Sequence, residues 1–97
     1  MGQKIEIASS TTIGDVAVFD TDRTLSGQDG ERYRSLDETE GRTTYPAGVA
    51  RAILSGDGAV QSVYITSNVV TIERRGGWDE ESITEAGRLI SDFFLFY

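Results

Sequence analysis

The sequence has 97 residues, a formal net charge of −7, and 38% hydrophobic and 26% charged residues, a balance typical of one folded globular domain. It contains no histidine and no cysteine, which excludes disulfides, thiolate nucleophiles and the usual ligands of zinc and iron–sulfur clusters. Sixteen acidic residues against nine basic ones give the wrong sign for a phosphate backbone, so we expect no nucleic-acid partner. The acidity suits solubility, or docking onto a basic protein partner.

The apolar runs are short. The longest is the terminal "FFLFY", five residues against the ~20 needed to cross a bilayer. The first ten residues, "MGQKIEIASS", lack the apolar block that is typical of a signal peptide. We therefore expect no membrane partner and a cytoplasmic location.

Two short alternating segments open the chain. "KIEIA" places Ile5 and Ile7 on one face, and "DVAVF" places Val16 and Val18 on one face. The hydroxyl-rich "SSTTIGD" between them is interpreted as the turn. Together they predict a first antiparallel strand pair.

A long connection follows, at about residues 20–44. It holds three glycines, many acidic residues and few apolar ones, so we expect a mobile loop inside the single domain. Tyr33 and Leu36 are its predicted anchors, and "RYRSL" is a candidate for a short edge strand.

"TTYPAGVARAILSGDG" predicts a short amphipathic helix. Pro46 suits the first helical position, where the missing N–H has no helical partner, and the glycines of "SGDG" suit the end. The shared apolar face consists of Ala47, Ala50, Ile53 and Leu54.

The next segments, "SVYIT" and "VVTIE", predict a hairpin across Ser67 and Asn68. Asn68 is the residue expected to take the left-handed conformation of that turn. The predicted inward side chains are Val63, Ile65, Val70 and Ile72.

"WDEESITEAGRLISDFF" predicts the last helix. Asp79 is its expected N-cap, and Glu80 and Glu81 suit the positive end of the helix dipole. The apolar face is formed by Ile83, Ala86, Ile90 and Phe93 or Phe94.

The order of these elements predicts an α+β fold, β-β-α-β-β-α. Four strands would form one mainly antiparallel sheet, and two helices would cover one of its faces in a two-layer sandwich. The other face would meet water or a partner.

From Pro46 to Phe94 the sequence resembles the N-terminal domain of the Nfu/NifU-type iron–sulfur scaffold proteins, which also occurs as a small free-standing bacterial protein. The likeness lies in the proline-started helix, in "DGAVQSVYITSNVVTIER", and in the Trp78-Asp79-Glu80 opening of the last helix. Two features depart from the family: "SSTTIG" stands where a Pro-Asn-rich turn is common, and the sequence has no Cys-x-x-Cys pair.

The resemblance implies a non-catalytic protein-interaction module, associated with iron–sulfur cluster assembly through partner docking and without a cofactor of its own. The alternative is a binding domain of the same fold whose partner is unrelated to clusters.

Five residues are candidates for partner binding. Tyr64 and Thr66 alternate with the inward residues and so lie on the opposite sheet face. Arg74 and Arg75 could grip a partner's carboxylates or a phosphate, or form a solvated strand end. Trp78 could be an interface anchor, or a staple that packs the helix entry onto the sheet.

Catalytic and metal chemistry have weaker candidates. The hydroxyls of residues 9–12 have no histidine to activate them, and a lysine base would have to be Lys4, so we expect no enzyme. Loop carboxylates could collect a hard cation, but no EF-hand spacing is present and we predict no metal site. These carboxylates are Asp20, Asp22, Asp37, Glu38 and Glu40.

Overall fold

A computed structural model describes residues 5–93. The elements in chain order are β1 (Ile7–Ile13), β2 (Val16–Thr21), β3 (Glu31–Tyr33), α1 (Leu36–Thr39), α2 (Tyr45–Gly56), β4 (Val60–Thr66), β5 (Val69–Arg74) and α3 (Glu80–Ser91). The strands form one sheet in the order β1-β2-β5-β4-β3, and every neighbouring pair is antiparallel. The fold is therefore α+β, with five strands and three helices in place of the predicted four and two.

One face of the sheet and the helices share the hydrophobic core. The side chains of Phe19, Val70 and Ile72 from the central strands meet those of α2 and α3 there. The buried apolar residues are Ile5, Ala17, Phe19, Leu25, Tyr33, Ala47, Val49, Ala50, Ile53, Val63, Ile65, Val70, Ile72, Ala86 and Ile90. The predicted inward residues of the β4–β5 hairpin are confirmed.

The β1–β2 pair differs from its prediction. The segment interpreted as a turn is mostly strand, since β1 continues to Ile13 and pairs there with Val16 across a two-residue turn. Gly14 opens that turn with a positive φ of 60°, which glycine adopts at no steric cost. The hydroxyl residues form a strand because threonine is β-branched and fits a pleated surface.

Val16 and Val18 share one face, as predicted, and it is the face away from the helices. Ala17 and Phe19 are buried instead, while the two valines are half-buried on the other side of the sheet. Alternation shows that the side chains of β2 fall on two faces, but it does not show which face meets the helices. Phe19 decides the outcome because its ring buries more apolar area than a valine does.

The helices begin and end close to the predicted residues. Thr44 caps α2 by accepting a hydrogen bond from the Ala47 N–H at 3.3 Å, and this makes Pro46 the second helical residue, not the first. Asp79 caps α3, and Ser82 completes a reciprocal capping box with it. Phe93 packs against the core, whereas Phe94 lies outside the described residues.

The long connection contains two elements of its own. β3 pairs with β4 at the sheet edge, so an edge strand is confirmed, over Glu31–Tyr33. Tyr33 is buried as predicted, but Leu36 is 42% exposed, and Leu25 is the second apolar anchor. The expected mobility of residues 20–44 stays a prediction.

The turn between β4 and β5 places Ser67, not Asn68, at positive φ. Asn68 instead bonds to the end of β2. Its side-chain amide donates to the Thr21 carbonyl, and its backbone carbonyl accepts from the Thr21 N–H, both at 2.9 Å. The turn is thus fixed by its contacts with the end of β2.

Ile72→Ala is expected to lower the free energy of unfolding by about 2–5 kcal/mol, because Ile72 is fully buried on the central strand β5. Urea unfolding measures the loss. The matched control is Thr71→Ala, the neighbouring position on the other face, which should cost much less. A loss below about 1 kcal/mol at Ile72 would contradict the register.

Candidate functional site

The helices leave one face of the sheet uncovered within residues 5–93. Strand pairing places neighbouring side chains on that face in rows, such as Thr11, Val18 and Thr71 across three strands. We call this the open sheet face. Its central residues are Thr11, Ile13, Val16, Val18, Tyr64, Thr66, Val69 and Thr71, and the same pairing places Ser9, Asp20, Arg32, Ser62 and Glu73 toward its edges. Its centre is uncharged, and Ile13 at its corner is 73% exposed.

The five predicted partner-binding residues fall into two separate places. Tyr64 and Thr66 lie on the open sheet face, as their alternation predicts. Arg74, Arg75 and Trp78 lie at or just beyond the end of β5, where the chain leaves the sheet for α3. The structure therefore does not bring the five into one surface.

Tyr64 and Thr66 use their hydroxyl groups inside the molecule. Thr66 donates to the Gln28 carbonyl at 2.9 Å, and Tyr64 donates to the Asp29 carbonyl at 3.4 Å. The connection before β3 thus lies against this part of the open sheet face. Gly30 permits the approach: its φ is +72°, and a Cβ there would lie 2.9 Å from the Ile65 carbonyl oxygen.

Arg74 is held by an ion pair with Asp57. Its Nε donates to the Asp57 carboxylate at 2.8 Å, and its Nη1 donates to the Gly77 carbonyl at 2.9 Å. The hydrogen bond from Arg74 lowers the pKa of Asp57, and the same bond raises the pKa of Arg74. This ion pair fixes the end of α2 to the end of β5.

Trp78 makes the contacts of a staple. Its ring meets Phe19 edge-on, with centroids 6.2 Å apart and planes at 72°, and its Nε1 donates to the Asp15 carbonyl at 2.9 Å. The Arg74 guanidinium lies 5.9 Å from the indole centroid. Trp78 therefore ties the entry of α3 to the β1–β2 turn and to the core.

Arg75 is the candidate whose side chain has no hydrogen bond or ion pair within the described part of the chain. Its backbone N–H donates to the Ala59 carbonyl at 2.8 Å, and the residue is exposed. Of the five, Arg75 is thus the one whose charged group is free to meet a partner.

The hydroxyl and carboxylate candidates are dispersed. Ser9 donates to the Asp20 carboxylate at 2.8 Å, and Asp22 accepts from the Glu6 N–H at 3.1 Å. Over residues 5–93, no three acidic side chains form a group suited to a metal ion. In the same range, no helix is long and apolar enough to cross a bilayer.

Sequence reasoning missed the valines of the open sheet face and the role of the connection that lies against Tyr64. The signal for the first was present: once Phe19 is assigned to the core, Val16 and Val18 must face outward. No local signal predicts the second, because it depends on backbone carbonyls that meet β4 only in the folded chain.

The fold class is that of a two-layer α+β domain. A crystal structure of protein SAV1430 from Staphylococcus aureus matches it with a TM-score of 0.63, covering 88% of this chain and 96% of that one at 15% identity. At that identity the likeness shows the fold alone. No protein-family model matches the sequence, and no curated protein does.

Asp57→Asn tests the ion pair and its pH dependence. Because the folded-state pKa of Asp57 lies below its ordinary value of 3.8, the carboxylate stabilises the fold above that value. This stabilisation is lost as the pH falls through the folded-state pKa. We expect the variant to lose at most about 1 kcal/mol of unfolding free energy near neutral pH, because solvent screens a partly exposed pair. In strong acid we expect no difference between the variant and the parent protein.

Thermal unfolding between neutral and strongly acidic pH measures the difference between the variant and the parent protein. Glu73→Gln is the matched control, since it removes a charge from the adjacent strand position, where the side chain has no hydrogen bond within residues 5–93. An Asp57→Asn difference that persists unchanged in acid would contradict the assignment.

Proposed function

We propose that this protein is a non-catalytic interaction module that docks through its open sheet face to protein components of iron–sulfur cluster assembly in the cytoplasm. The observation that carries the docking role is the uncovered face itself. A sheet with one face covered by helices and the other lined at its centre by valine and threonine presents an uncharged central surface to a partner, with charged residues only toward its edges.

The support for iron–sulfur assembly is the sequence resemblance. The segment from Pro46 to Phe94 follows the Nfu N-terminal domain in the order of its elements. Its described part contains a helix, a hairpin and a capped second helix. The match is strongest at the β4–β5 hairpin and at the Trp78 entry to α3.

The chemistry of the side chains supports docking over catalysis. The predicted candidates Tyr64, Thr66 and Trp78 donate their hydrogen bonds to backbone carbonyls, and Arg74 serves an ion pair. Ser9 has a carboxylate neighbour but lies on an exposed strand, where no low-dielectric site strengthens its interaction with a substrate.

A second candidate function is docking to a partner unrelated to iron–sulfur clusters. It is favoured by one observation: "SSTTI" continues β1 to a two-residue turn, where the family commonly has a Pro-Asn-rich turn. A partner contact made by that family turn would have no counterpart in this chain.

A pull-down from the source cell should enrich iron–sulfur assembly proteins, and identification is by mass spectrometry. Thr11→Lys should reduce their capture because it adds a charge to the open sheet face. Thr12→Lys is the matched control: the same substitution on the next residue of β1, equally exposed but on the opposite face.

The outcomes separate the two candidates. Enrichment of a consistent partner outside cluster assembly, lost in Thr11→Lys alone, would favour the second function. Equal capture by both variants would mean that the open sheet face is not the docking surface.

Iron provides an independent test. Cluster irons are held by cysteine thiolates or, in some centres, by histidines, and the sequence has neither. Oxygen ligands do not replace thiolates around an iron–sulfide core. The isolated protein is therefore expected to bind no cluster, and a role in assembly is indirect.

Cluster binding by the isolated protein is measured by anaerobic reconstitution with iron and sulfide, followed by desalting and a visible absorption spectrum. A colourless protein is the expected result, and the same sample should still capture a cluster-bearing partner. A protein-associated charge-transfer band with near-stoichiometric iron would overturn the indirect role.

A further inference from the structure

Three arginines line one cleft beside the short edge strand β3. Arg32 and Arg34 come from β3 and the residues after it, and Arg42 comes from the segment after α1. With Tyr33 and Glu38 they enclose an open space of about 490 Å³, which we call the arginine cleft. A chain with nine basic residues thus places three of them at one site.

The positive charge of the arginine cleft is compensated only in part, by Glu38 in its lining and by the Glu31 carboxylate, which accepts a hydrogen bond from the Tyr33 hydroxyl. The side chains of Arg34 and Arg42 have no hydrogen bond or ion pair within residues 5–93, although the chain has sixteen acidic residues. Arg74 and Arg88, by contrast, each pair with a carboxylate. The Arg32 guanidinium lies 5.0 Å from the centroid of the Tyr64 ring, a contact that orients the charge without neutralising it.

The backbone that carries these arginines is fixed by hydrogen bonds. Glu38 accepts from the Arg34 N–H at 2.5 Å, and Arg51 donates to the Arg42 carbonyl at 3.2 Å. Glu38, the one carboxylate of the lining, is thus engaged with the backbone. Three arginines and one glutamate give the lining residues a formal charge of two positive units.

We propose that the arginine cleft binds a phosphate-type dianion, either free phosphate or the phosphoryl group of a phosphorylated molecule. Guanidinium forks match the oxygens of such a group bidentately, and a dianion offsets the formal positive charge of the lining. The net charge of −7 disfavours an extended polyanion more than a single small group that enters the cleft.

This inference does not depend on the proposed docking function, because its ligand is a small anion and its test uses no protein partner. The isolated protein suffices for the test. A failure of phosphate binding leaves the partner experiment unaffected, and the reverse also holds.

The probe is inorganic phosphate, titrated at about pH 7.5, where it is mostly a dianion, with constant ionic strength. Two-dimensional NMR should show saturable shifts of the arginine Nε–H signals of the cleft by about 10 mM phosphate, the concentration that saturates a site with a Kd of about 1 mM. Arg34→Gln and Arg42→Gln should each weaken binding about fivefold or more.

Arg88→Gln is the matched control. It removes the same charge from an exposed arginine that does not line the cleft, and it should leave the affinity within about twofold. Signal dispersion in the same spectra reports whether each variant is folded. Arg34→Lys, which keeps the charge but removes the fork, should bind more weakly than the parent and thus tests the bidentate geometry.

A second arm uses a short phosphoserine peptide and its unphosphorylated form. Binding of the phosphopeptide more than about tenfold tighter than phosphate assigns the ligand to a phosphorylated protein, and comparable affinity assigns it to a free small anion. Either supports the site. Shifts that do not saturate, equal binding of both peptides, or an equal loss in Arg88→Gln would overturn it.

Discussion

The pairing of β5 with β2 on one side and β4 on the other determines the rest of the molecule. This register aligns Phe19 with Val70 and Ala17 with Ile72, so one continuous apolar surface forms across the centre of the sheet. The helices α2 and α3 have apolar stripes of their own that must be buried against it. With only two long helices available, one sheet face is covered and the other is left open.

The same register explains which parts of the fold the sequence predicted. The hairpin of β4 and β5 and both long helices carry strong periodic signals, because each buries one face over several turns or alternations. β2 does not, because Val16 and Val18 are as apolar as its buried set. A strand with apolar residues on both faces can be oriented only by what it packs against. The position of Phe19 under Trp78 supplies that information in the folded chain.

The candidate site was predicted less well than the fold because its residues are assigned by tertiary contacts. Alternation correctly placed Tyr64 and Thr66 opposite the core. It could not show that the chain from Gln28 to Gly30 bonds to them, since that segment has almost no apolar pattern. Leu25 and Thr39 of the same connection are also buried, and the sequence did not predict it. Each is a single side chain between polar neighbours, so neither gives a periodic signal.

The distribution of charge adds a further constraint that the net charge does not show. A net charge of −7 argues against anions as ligands only if the basic residues are distributed at random or paired locally. In this chain two arginines pair with carboxylates, and three others line a cleft whose single lining carboxylate is bonded to the backbone. Because screening limits each charge to about 10 Å at ordinary salt, the local sum at the cleft matters more to a small ligand than the total does. An acidic protein can therefore remain soluble and repel polyanions while one site on it attracts a single anionic group.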